Sequence, residues 1–254
     1  MIPRPAPRST ASPGCSDSAD HVITSHLPLL AVLFDAGNTL LFLDYSRIAS
    51  AVGKALGLPL TATALAAGSV AAAQSMEDAR ATDRERATAF LEALFLQAGV
   101  PAERLVEVRA ILVGLHAERH LWSDVSGDTR EALGRLRRAG LRLGVVSNSD
   151  GRVEEALQAA GLRQYFDVVV DSTLAGGEKP DPAIFRAALT ALDVPPDQAL
   201  YVGDLYEVDV LGANAAGMPA VLLAPDDDPS RRGCATIGSL RALADDLLKE
   251  TRPS

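Results

Sequence analysis

The stretch Leu29-Leu30-Ala31-Val32-Leu33-Phe34-Asp35-Ala36-Gly37-Asn38-Thr39 decides the fold. Six apolar residues run without a break and stop at an aspartate. Such a run suits a strand buried on both faces of a parallel sheet. Similar runs recur at residues 141–146, 168–170, 199–202 and 220–223, with helical segments between the later ones. Strands alternating with helices predict an open α/β sheet. The helix signals agree. Asp128 with Glu131 predicts a capping box, and Gly140 ends that helix. Asp181-Pro182 places a cap before a proline at the first helical position, and Gly161 and Gly217 sit where C-terminal glycines belong.

Active sites of open α/β sheets lie beyond the carboxyl ends of the strands. Asp35, Ser147 and Asp204 each fall there. A carboxylate such as Asp35 can attack phosphorus and form an acyl phosphate, splitting one hard displacement into two easier ones. Thr39 would position the phosphoryl group or its loop. The Ser147 hydroxyl and the backbone N–H groups around Asn148 can hold phosphoryl oxygens. Lys179 opens the rigid Lys179-Pro180-Asp181-Pro182 stretch and offers a fixed cation for nucleophile and phosphate. Asp204 and Asp209 form a carboxylate pair, and Gly203 lets the chain turn before them. Mg²⁺ takes one or two protein carboxylates and keeps water and phosphate oxygens elsewhere. Asp35, Asp204 and one backbone carbonyl would suffice, with Asp209 fixing a metal-bound water. Each residue alone also reads as an ordinary turn, cap or solvated side chain. Their convergence on one crevice carries the chemistry.

The stretch from about residue 46 to residue 120 is different: Ala/Leu-rich, charged and without a convincing strand. Leu91, Leu94 and Phe95 have helical spacing, as do Leu105, Val108, Ile111, Leu112 and Leu115. Pro59 and Pro101 punctuate it. It predicts a mainly helical insertion after the first strand. His116 and His120 share a helix face at a spacing that can bind metal, but Arg119 is adjacent and no third ligand is evident in the sequence.

Taken in order, Asp35 with Thr39, then Ser147, then Lys179, then Gly203-Asp204 with Asp209, resemble the four motifs of the haloacid dehalogenase-like hydrolase superfamily, over roughly residues 29–223. The branch resembled carries a helical cap between motifs one and two. The resemblance implies a Rossmann-like parallel-sheet core formed by residues 29–44 and 121–254 and a helical cap at 45–120; composition sets residues 1–28 apart as a disordered leader. It implies an Mg²⁺-dependent phosphatase or phosphotransferase acting on a small phosphorylated molecule through an aspartyl-phosphate on Asp35. It also implies that Asp35, the carbonyl of Gly37 and Asp204 bind the metal.

One position departs from the pattern. The family's first motif is Asp-x-Asp-x-Thr, and Gly37 stands where the second Asp would give a proton to the leaving group. Glycine keeps the carbonyl but has no proton. General acid–base help is worth about 10²–10⁴ in rate. Its loss predicts a preference for acyl, anhydride or aryl phosphates, whose leaving groups need little protonation. Asp44, Glu77, Asp78, Asp83 and His116 are candidate substitutes. Three other readings remain open at this stage: a 2-haloacid dehalogenase, which needs no metal; a phosphonate hydrolase, for which Lys54 is the one cap lysine; and a binding protein impaired in catalysis.

Composition narrows the rest. The chain has 254 residues and a formal charge of −9, with an isoelectric point near 4.9. An acidic surface argues against general nucleic-acid or anionic-membrane binding. Cys15 and Cys234 are too few for a disulfide framework or a zinc set, and they fit a reducing, cytoplasmic setting. Residues 1–26 are rich in Pro, Ser, Ala and Asp and predict a disordered tail rather than a targeting segment. Asp226-Asp227-Asp228 predicts a solvated loop. A monomer and a homodimer are both compatible with the sequence.

Overall fold

The structure is a computed structural model, and it describes residues 28–73, 81–224 and 234–249. The leader with Cys15, the candidate acids Glu77 and Asp78, and the acidic run at 226–228 lie outside the described residues.

In chain order the elements are β1 (Ala31–Phe34), β2 (Phe42–Leu43), α1 (Tyr45–Leu56), α2 (Ala62–Ala72), α3 (Asp83–Gln97) and α4 (Leu105–Glu118). Next come β3 (Trp122–Asp124), α5 (Thr129–Arg138), β4 (Arg142–Ser147), α6 (Val153–Ala159), β5 (Val168–Asp171) and the single turn α7 (Ser172–Ala175). The chain continues with α8 (Pro182–Leu192), β6 (Ala199–Gly203), α9 (Leu211–Ala215), β7 (Ala220–Leu223), β8 (Ala235–Ile237) and α10 (Leu240–Lys249). Six strands form one parallel sheet in the order β5-β4-β1-β6-β7-β8.

The apolar runs are buried on both faces because alternate residues point opposite ways. Val32, Phe34, Leu143, Val145, Leu200 and Val202 pack on one side with residues of α5, α6 and α10. Ala31, Leu33, Val146, Ala199 and Tyr201 pack on the other with residues of α8 and α9. The sheet is therefore the middle of three layers. Phe34 is in register with Val145 on one neighbour and Val202 on the other. That register brings Asp35, Ser147 and Asp204 out at nearly the same level. Strand order also reverses at β1, which is where open α/β sheets leave a crevice.

The helices α1–α4 pack around an apolar cluster of their own, including Ile48, Leu65, Phe90, Leu94, Phe95 and Leu112. Thr82 and Glu85 form a reciprocal capping box at the start of α3. The short β2 and β3 pair antiparallel at the foot of this segment. They and β8 have only two or three residues each, too few to show a period in the sequence.

The cap expected at Asp128 is not made. Asp128 accepts no bond from the first turn of α5 and has helical backbone angles; its carboxylate accepts instead from Ser126 Oγ at 2.8 Å. Asp181 does cap α8, accepting from the Ala183 N–H at 2.8 Å. Gly140, Gly161 and Gly217 all take positive φ beyond helix ends, as expected of C-terminal glycines. No helix among the described residues is long and apolar enough to cross a membrane.

Candidate active site

Lys179 organises the ends of the strands. It is 3% exposed, so its ammonium needs partners within the protein. Its three N–H donors meet three acceptors: Asp35 Oδ1 at 2.5 Å, Asp209 Oδ1 at 2.7 Å and the Tyr201 hydroxyl at 3.1 Å. The Tyr201 hydroxyl also lies 3.0 Å from the Val146 carbonyl and 3.2 Å from Asp209 Oδ1. Burial opposes the charged lysine, but Asp209 and Asp35 outweigh it and hold its pKa well above the usual value.

Asp209 is fully buried. Its second oxygen accepts the Leu205 N–H at 3.0 Å, so both oxygens are already engaged. It lies on a π-helical turn, Tyr206–Val210. Gly203 permits this packing, since a Cβ there would stand 2.4 Å from the Asp209 carboxyl carbon. The glycine thus serves a close approach.

Asp35 leaves β1 with its N–H bonded to the Val202 carbonyl at 2.8 Å. Ligand oxygens of Asp35, Asp204 and Asp209 all lie within 4.8 Å of one another. Burial raises the Asp35 pKa to about 7; Lys179 pulls it down and Asp209 pushes it up. Half-buried Asp204 is raised well above the carboxylate range by burial first, then by Asp35 and Asp209. Three carboxylates share one ammonium here. Oxygen donors with an uncompensated negative charge are the chemistry of a hard divalent cation, so the site fits Mg²⁺.

The other expected residues fall around this cluster in different ways. Ser147 is buried, lines the cavity and makes only a 3.4 Å contact to the Asn148 carbonyl, which leaves its hydroxyl available. The Asn148 amide is committed as a clamp on the Lys179 backbone, accepting its N–H at 2.8 Å and donating to its carbonyl at 3.0 Å. Thr39 is 1% exposed, its hydroxyl has no hydrogen-bond partner, and it is not part of the cavity wall. Gly37 lies in the wall and avoids positive φ. A Cβ there would meet only Trp122, 3.7 Å from Nε1.

Two contributors were missed in the sequence. Tyr201 sits inside an apolar run, where a tyrosine reads as packing. The Trp122 indole N–H donates to Asn38 Oδ1 at 3.1 Å and so ties β3 to the loop after Asp35. Asn38 takes φ +53°, a conformation asparagine tolerates.

Above this floor is a cavity of about 760 Å³, whose roof includes Leu91, Phe95, Val108 and Leu112. His116, Asp83 and Arg86 also face it. Lys54 is exposed on α1 and takes no part in the wall, and Asp44 is spent capping α1 and pairing with Arg119 at 2.7 Å.

The chain is similar to several known proteins. A Xenopus laevis protein, haloacid dehalogenase-like hydrolase domain-containing protein 3, is 44% identical over 110 residues, 43% of this chain and 45% of the relative. The phosphoserine phosphatase of Thermus thermophilus is 37% identical over 163 residues, 62% of each chain. The chain spans about half the length of the first curated relatives it matches. The crystal structure of a HAD phosphatase from Thermococcus onnurineus superposes with a TM-score of 0.56 at 25% identity, covering 86% of this chain and 98% of that one. The model for the haloacid dehalogenase-like hydrolases matches residues 29–217, and with that extent of agreement the chain belongs to this hydrolase family.

Proposed function

We propose that the chain is an Mg²⁺-dependent phosphatase or phosphotransferase in which Asp35 becomes transiently phosphorylated. The observation that carries the reading is the buried contact of Lys179 with Asp35, with Asp204 within a metal ion's span, at the floor of the cavity. Curated relatives named as phosphatases of phosphoserine and of glyceraldehyde 3-phosphate support the reaction class.

In this reading Lys179 holds Asp35 by one oxygen, which keeps the carboxylate from rotating away from the substrate. A carboxylate oxygen attacks phosphorus, and the bond from phosphorus to the leaving oxygen breaks. Water then attacks the same phosphorus, releasing phosphate and restoring Asp35. Ser147 donates to a phosphoryl oxygen in both steps. Asn148 and Asp209 act by holding Lys179 in place. Asp35, the Gly37 carbonyl and Asp204 would hold Mg²⁺, which when bound offsets the charge of the carboxylates and phosphoryl oxygens.

The helices of residues 45–120 act as a cap over a core of residues 29–44 and 121–254. Their apolar roof selects a small phosphorylated molecule with an apolar or aromatic body, in keeping with the preference for good leaving groups that Gly37 imposes. Asp83 is the best-placed substitute acid. It faces the cavity, and burial raises its pKa against the opposing pull of Arg86 and then Lys179.

The test is acid quenching during turnover of an aryl phosphate, followed by peptide mass spectrometry. A phosphate adduct on the Asp35 peptide is expected, absent in Asp35→Asn. No adduct in the wild type, with turnover unaffected by a chelator, would sink the reading.

A further inference from the structure

A second set of side chains converges on the cavity wall away from Asp35. His116 stands in the last turn of α4, His120 two residues before β3, and Asp150 in the loop after β4. One ligand atom from each lies within 4.8 Å of the other two. His116 Nε2 is 2.8 Å from Asp150 Oδ2. The two imidazole rings meet edge to face, with centroids 4.6 Å apart. His120 Nδ1 is 3.1 Å from the Trp122 carbonyl oxygen. A proton on Nδ1 makes that bond and leaves the Nε2 lone pair bare, which is how metal-binding imidazoles are usually held.

We infer that His116, His120 and Asp150 form a second metal site, specific for a divalent transition metal such as Zn²⁺. Two imidazoles and a carboxylate are a mixed nitrogen and oxygen set, which suits Zn²⁺ far better than Mg²⁺. Three protein ligands also leave a position for water or a substrate atom. A simple His116–Asp150 ion pair accounts for two of the residues. It does not account for a second imidazole packed on the first with its other nitrogen tied back to a carbonyl. Burial lowers the His120 pKa, with His116 adding to the effect.

Arg152 is the local opponent of a cation. Its guanidinium is paired with Glu155 at 3.1 and 3.2 Å and donates to the His116 carbonyl at 2.7 Å. The side chains of His116 and Asp150 are 27% and 48% exposed, so an ion can enter from solvent. His116 and His120 flank the end of the helical segment, whereas Asp150 follows the strand that carries Ser147. Metal binding would therefore pin the two sides of the cavity together.

The test uses tag-free, chelator-stripped protein with Mg²⁺ in excess, so that the Asp35 cluster is occupied. Co²⁺ is titrated while following Trp122, the chain's single tryptophan, whose ring lies 6.2 Å from that of His120. Saturable quenching at one site per chain is expected, reversed by Zn²⁺. His120→Gln and Asp150→Asn should each weaken it by more than about tenfold, while Asp204→Asn should leave it in place. Quenching that persists in both variants, or that is lost in Asp204→Asn alone, overturns the site. A readout independent of variant folding is the histidine ring-proton spectrum of the wild type. The His116 and His120 resonances must shift on adding Zn²⁺, and unshifted rings refute the proposal.

Discussion

At the floor of the cavity a lysine spends every proton on neighbours in the same cluster, Asp35, Asp209 and Tyr201. At the roof, Leu91, Phe95, Val108 and Leu112 present apolar surface interrupted by Arg84, Arg109 and His116. The floor is held from the sheet, where register fixes each strand end. The roof hangs on α3 and α4, which pack mainly around their own apolar cluster. A charged floor whose lysine has every donor engaged suits a fixed chemical step, and an apolar roof carried by other elements suits choice of substrate. Substitutions in the two regions should accordingly fail in different ways.

The sharpest way to break this contrast is Lys179→Met. Removing the ammonium leaves Asp35 and Asp209 buried without their shared cation. Breaking a buried pair by deleting one partner costs about 3–5 kcal/mol. Denaturant unfolding should show a loss of that order, partly restored by excess Mg²⁺. A stability change below about 1 kcal/mol would mean that water reaches the floor and that the cluster is not closed.

A smaller effect should appear as a pH dependence of the chelator-stripped protein. Asp35 titrates at about 7 in the folded chain against an ordinary value of 3.8. Between those values the folded chain holds a proton that the unfolded chain has lost. Stability from this group is therefore complete below about pH 4 and is lost as pH rises through about 7. The melting temperature should fall across that window, and Asp35→Asn or saturating Mg²⁺ should flatten the slope. A slope of the opposite sign would mean that Lys179 outweighs burial.

The two regions also differ in how far the sequence disclosed them. Asp35, Ser147 and Asp204 were legible because each ends an apolar run, and Lys179 because Pro180, Asp181 and Pro182 mark its loop. What those side chains touch was not legible. Asn148 reads as a turn residue, yet its amide clamps Lys179 across 31 positions of sequence. Tyr201 becomes chemical only once sheet packing brings it to Lys179. In the roof, helical spacing showed which positions of α3 and α4 face inward, but not which face the cavity. Asp150 joins the two histidines only through tertiary packing, so the spacing of His116 and His120 left them without a third partner.

Gly37 lies at the boundary between floor and roof. Its backbone is outside the left-handed region, and a Cβ would meet Trp122 at ordinary contact distance. Gly37→Asp should therefore fold. The new carboxyl can supply the leaving-group proton, raising turnover of alkyl phosphates by about 10²-fold or more and of aryl phosphates much less. Equal gains on both would mean that the side chain acts by repositioning Asn38 through Trp122 rather than by moving a proton.

Asp83→Asn probes whether the roof takes any part in the chemistry. Asp83 lies in the first turn of α3, and its backbone N–H donates to the Glu178 carboxylate at 3.1 Å, one residue before Lys179. This contact joins the roof to the floor beside the proposed nucleophile. Burial raises the Asp83 pKa, while Arg86 and then Lys179 pull it back; as the proposed acid it would give its carboxyl proton to the leaving group. Asparagine keeps the size and removes that proton. Turnover of alkyl phosphates should drop about tenfold, below the about 10²–10⁴ of a fully placed general acid, with aryl phosphates nearly unchanged. In Gly37→Asp the same substitution should matter less, because two acids in one cavity are redundant. If Asp83→Asn instead raises KM equally for both classes and leaves kcat alone, Asp83 is a binding residue, and the division between a chemical floor and a selecting roof is stricter than proposed.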